Sequence, residues 1–76
     1  MSYGYSSRLI EANRQADKRH LGVLLGRRCI KADIPVSVIA LQLGVSRMTV
    51  YNWFIGLHTP QAACIAVIDT FLETLK

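Results

Sequence analysis

Residues 35–53 read PVSVIALQLGVSRMTVYNW, and the fold turns on how that stretch is punctuated. Val38, Ile39, Ala40, Leu41 and Leu43 form one apolar-periodic segment, and Val50 and Trp53 anchor a second. Gly44 stands between them and can take the positive-φ conformation that closes a helix and turns the chain. Ser46 follows, placed to cap the next helix with its hydroxyl. Ala40, four residues before Gly44 and ten before Val50, puts a small side chain where two helices cross closely. Helix, glycine turn, helix is the arrangement that carries a recognition helix into the DNA major groove.

Upstream, Leu21, Leu25 and Cys29 recur at helical spacing with Leu24 beside them, predicting a helix from about Asp17. Gly22 and Gly26 share one face of it, each costing ~1 kcal/mol of helix propensity relative to Ala. A second helix packed closely there makes them tolerable. Arg27, Arg28 and Lys31 fall in its last turns, where positive charge complements the helix dipole. Pro35 suits the first helical position of the next segment. Residues 1–7 have no periodicity and read as a mobile tail. Ser7 is a candidate cap for a short segment through Leu9, Ile10, Ala12 and Ala16, either a helix or a flexible arm.

Downstream, Gly56 is a stop signal and Thr59-Pro60 a further helix start. The final helix, from about Pro60 to Leu75, is apolar around most of its circumference. A surface helix of a small domain needs only a stripe, so one face packs on the core and another awaits cover. Ile65, Ile68, Phe71, Leu72 and Leu75 are the candidate interface residues of a homodimer. No strand pattern appears. The expectation is an all-α bundle of four to five helices, with residues 1–16 as a basic arm or extra helix and residues 17–76 as the domain proper.

The 76 residues are 51% hydrophobic and 18% charged, which excludes disorder throughout and leaves one small domain with a marginal core. No run approaches the ~20 apolar residues that span a bilayer, and the N-terminus lacks the apolar region of a secretory signal. The simplest expectation is a cytoplasmic protein without membrane partners. Cys29 and Cys64 lie far apart in apolar stretches and read as small buried hydrophobes. With His20 and His58 they lack the short ligand spacing of a zinc site, so no metal or cofactor is expected. Five carboxylates and two histidines form no paired acid–base constellation or phosphate loop, which argues against an enzyme. The net charge of +4 is unevenly spread: residues 1–31 carry +5 and residues 32–76 carry −1. A basic front half on a near-neutral helical body is the asymmetry of a polyanion binder.

From Leu21 to about Leu72 the chain resembles the lambda-repressor-like (Cro and repressor, or XRE) helix-turn-helix family. The matching positions are Ile34, Ile39-Ala40, Gly44-Val45-Ser46, Val50, Trp53, Gly56 and Thr59-Pro60, aligned without gaps. Three positions depart from the family pattern: Val36 replaces a phosphate-bonding glutamine, Pro35 replaces a Ser or Thr cap, and Phe54 replaces a glutamate. Arg28 also falls near a position that is usually apolar.

The resemblance implies a compact bundle binding a double-stranded DNA operator, usually as a homodimer. Carried over, Arg47, Met48 and Asn52 would read base edges while Ser46 and Thr49 touch phosphates. The chemistry agrees: arginine bonds guanine O6 and N7, asparagine bonds adenine N6 and N7, and methionine packs on a thymine methyl. Tyr51 would reach a phosphate, and Arg27, Lys31, Arg8, Arg14, Lys18 and Arg19 would neutralise the backbone.

The leading expectation is a small regulator that occupies an operator and blocks polymerase. It has no room for a small-molecule pocket, and its size is typical of phage and mobile-element repressors in a bacterial cytosol. Two alternatives stand beside it. The same scaffold could bind and inhibit another protein through an exposed patch of Val36, Met48, Phe54 and Ile55. It could also serve as a DNA architectural or excision accessory factor.

Overall fold

A computed structural model describes residues 5–75. Among them are five helices and no strand: α1 Ser7–Gln15, α2 Leu21–Lys31, α3 Val36–Leu43, α4 Arg47–Phe54 and α5 Ala62–Thr74. The all-α bundle is therefore as expected, and among the described residues no helix is long and apolar enough to cross a membrane.

The turn at Gly44 forms as its sequence dictates. Gly44 adopts φ 69°, ψ 31° at the end of α3. Its N–H donates to the Leu41 carbonyl at 3.3 Å and that of Val45 to the Ala40 carbonyl at 3.0 Å. This pair of bonds satisfies carbonyls that the end of a helix otherwise leaves open. Asp33 ends α2 in the same way at φ 57°, with Ile34 N–H donating to the Cys29 carbonyl at 3.0 Å. Pro35 precedes α3 as its cap, in extended backbone, instead of occupying the first helical position. The last helix begins at Ala62, two residues after Pro60. Leu57 and His58 still donate to the Asn52 carbonyl, so the chain is closing off α4 up to the residue before Thr59-Pro60, and Gln61 is the cap of α5.

α2 is the central strut, packed on α4 by its glycine face. A Cβ at Gly22 would lie 2.7 Å from Trp53 Cβ and 2.9 Å from the Trp53 carbonyl oxygen. One at Gly26 would lie 2.8 Å from Phe54 Cγ. The two glycines therefore bring the helices together at a distance that no side chain permits. Leu25, Cys29, Ile39, Val50, Phe54 and Ile68 are wholly buried around this contact. We expect Gly22→Ala to lower stability by about 1–3 kcal/mol through overpacking, outweighing the ~1 kcal/mol that alanine adds to a helix. Chemical denaturation of the two proteins measures the sign.

The segment before α2 is docked. Ser6, not Ser7, caps α1, accepting from the Leu9 N–H at 3.1 Å. Tyr5 is buried, stacks on Phe54 with ring centroids 6.2 Å apart, and donates its hydroxyl proton to the Ile34 carbonyl. Asn13, only 2% exposed, donates through Nδ2 to the carbonyls of Val23 at 3.1 Å and Phe54 at 2.6 Å. An aromatic and an amide thus tie the N-terminal segment to α2, to α4 and to the connection between α2 and α3, and of the two alternatives for residues 7–16 the helix is the one present. Residues 1–4 of the expected tail lie outside the described residues.

Candidate nucleic-acid interface

α4 presents two unlike faces because its apolar residues follow helical spacing. Val50, Trp53 and Phe54 are buried, whereas Arg47, Met48 and Tyr51 are exposed and Asn52 is half-exposed. Ser46 Oγ accepts the Thr49 N–H at 3.2 Å and lies 2.9 Å from Thr49 Oγ1. The cap satisfies the Thr49 N–H, and the helix N-terminus is an end where an anion is favoured. The expected base-reading residues Arg47, Met48 and Asn52 thus all lie on the side of α4 away from the core, with Met48 between the other two around the helix. Arg47 offers a fork of donors, Met48 (66% exposed) an apolar surface, and Asn52 an amide.

Arg8 joins this face from α1. It lines a groove of about 450 Å³ with Ser6, Leu9, Ala12, Tyr51 and Ile55, so a cation stands across the groove from the Tyr51 side chain. The other cations are placed differently. Arg27 reaches back to α1, its Nη2 donating to the carbonyls of Arg14 at 2.7 Å and Ala16 at 3.2 Å. It acts as a C-terminal cap of α1, a use unlike the phosphate contact assigned to it. Arg14 and Lys31 line a separate groove between α1 and α2. Arg19 is held by Asp17 in a close two-pronged pair, with contacts of 2.7–3.1 Å. Those bonds hold the Asp17 carboxyl well below the usual carboxylate range. Lys18 is exposed in the same α1–α2 turn.

Two departures from the family pattern have a structural account. Val36 and Phe54 are both core residues, Phe54 wholly so, with Tyr5 and Asn13 seated on it. The exposed patch of Val36, Met48, Phe54 and Ile55 therefore does not exist: two members are buried and Ile55 is half-buried. Arg28 points away from the α4 contact, lining a recess with Asp69 and Glu73, so α2 keeps its apolar face in register.

The interface candidates on α5 also divide. Ile68 is wholly buried and unavailable to a partner. Phe71, Leu72 and Leu75 are half-buried against the core, and Ile65 is exposed. Val67 and, on α3, Leu41 (83% exposed) are outward apolar residues that periodicity did not single out. Sequence reasoning also missed the structural use of Tyr5, Asn13 and Arg27. Their partners are main-chain carbonyls, for which no side-chain pattern is a signal.

Both cysteines are free thiols. Cys29 is wholly buried and burial pushes its thiol up to about 12; Cys64 is half-buried. Among the described residues, no three His, Cys, Asp or Glu side chains gather where they could hold a metal ion. No family model, curated protein or solved structure matches this chain.

Proposed function

We propose that this chain is a small sequence-specific regulator of the helix-turn-helix class that binds duplex DNA through α4 and acts by occupying an operator. The observation that carries the reading is the outer side of α4, where Arg47, Met48, Tyr51 and Asn52 all lie away from the core on a helix capped by Ser46. Arg47 at the start of α4 and Asn52 about one and a half turns later match the donor and acceptor pattern of guanine and adenine edges. Ser46, Thr49 and Arg8 flank that face and, with the Tyr51 hydroxyl, would take the flanking phosphates.

A single helix of this length reads ~4–5 base pairs, so useful selection calls for two copies on a pseudo-palindrome. The surface for the second copy would centre on Ile65, the exposed member of the expected interface residues of α5. We expect Ile65→Asp to shift the chain toward monomer in sedimentation without unfolding it. Ile68→Ala, by contrast, would cost about 2–5 kcal/mol of stability as a cavity in the core.

Selection of bound duplexes from a random pool tests the reading. An inverted repeat recovered reproducibly, with affinity falling steeply as salt rises, is the expected result. Direct repeats in its place would favour the architectural or excision class. No enrichment above the starting pool would end the proposal.

A further inference from the structure

The basic residues of the N-terminal half divide between two faces of the domain. Arg8 and Arg14 stand about 120° apart around α1, and they line different grooves. On α2, Lys31 follows Gly22 by nine residues, which is about two and a half turns. It therefore lies on the side of α2 opposite the one pressed against Trp53. Both α2 and α4 stand between Lys31 and the outer face of α4, so one ligand held on that face does not reach it.

Arg14, Arg27 and Lys31 rim a groove of about 260 Å³ that also contains Ile10, Asn13 and Ile30. Arg27 is fixed there by its bonds to the end of α1, and its Nε is buried without a hydrogen-bond partner. Glu11 approaches Arg14 at 3.8 Å on the exposed surface of α1, an ion pair of little strength that an incoming carboxylate can displace. Three cations around an isoleucine-containing floor call for a partner that brings both negative charge and an aliphatic side chain.

We infer that this α1–α2 groove docks an acidic, aliphatic peptide segment of a partner protein, with carboxylates on Arg14 and Lys31 and an aliphatic side chain against Ile10. A phosphodiester strand answers the charges and leaves the apolar floor wet, so it fits less well. The inference is independent of whether α4 reads DNA.

The test titrates the isotopically labelled full chain with a peptide of alternating glutamate and leucine, and separately with poly-L-glutamate and a short random duplex. Amide and methyl shifts confined to Ile10, Arg14, Ile30 and Lys31, and weaker binding of poly-L-glutamate, are expected. The double variant Arg14→Glu, Lys31→Glu reverses two exposed charges and should bind the peptide at least about tenfold more weakly, its spectrum otherwise unchanged. Shifts at Arg47 to Asn52 with the peptide, equal binding of the two acidic polymers, or a duplex that perturbs this groove more strongly would each overturn it.

Discussion

Phe54→Ala is expected to lower the stability of this domain by about 3–5 kcal/mol, the usual cost of deleting a fully buried aromatic ring. Phe54 has no exposed surface and faces the Gly26 backbone, and Tyr5 stacks on its outer side. Its removal opens a cavity bounded by α1, α2 and α4, and α1 loses the surface on which its N-terminal tyrosine rests. Small domains hold only about 5–15 kcal/mol in total, and each kcal/mol shifts the melting temperature of a domain this size by about 4–8 °C. The variant should therefore melt tens of degrees lower. Calorimetry or denaturant titration measures it. A loss below about 1 kcal/mol would mean that α1 and Phe54 do not form the shared core described here.

That expectation separates what was legible in the sequence from what was not. The α3–α4 unit was readable because its signals are local. Gly44 ends a helix by its own conformational freedom, and Ser46 caps the next through a bond three residues away. The alternation of Val50 and Trp53 with Arg47, Met48 and Asn52 assigns the two faces of α4 without reference to any other element. A close helix approach was likewise expected at Gly22 and Gly26, and the structure shows the neighbour to be α4.

The docking of α1 was not legible, because it depends on contacts remote in sequence. Asn13 is bound to a carbonyl 41 residues away, and Tyr5 to one 29 residues away. A polar amide and a tyrosine beside serines carry no periodic trace of such partners. Phe54 misled for a related reason. The residue was weighed against a glutamate at the same position of a resembling family, whereas here the Tyr5 ring and the α2 glycine face supply the apolar surroundings that make phenylalanine the fitting choice. On α5, apolar residues occupy nearly every side, so spacing alone did not reveal that Ile68 turns inward and Ile65 and Val67 turn out. Charge was read correctly in amount and only in part in place. Arg8 joins the α4 side, while Arg27 caps α1 and Lys31 lies behind α2.

The central claim is that Arg47 and Asn52 read bases from the outer face of α4. It is tested most directly by measuring the affinity of Arg47→Ala and Asn52→Ala for the selected duplex and for variants of it carrying each base substitution. Each replacement should cost about 1–3 kcal/mol, roughly 5- to 150-fold. The loss should also abolish discrimination at one particular base pair, guanine for Arg47 and adenine for Asn52. Both variants should keep the stability of the parent, since neither side chain has a core role. Contradiction would take a definite form: parental affinity and parental base preference in both folded variants would show that α4 does not read DNA.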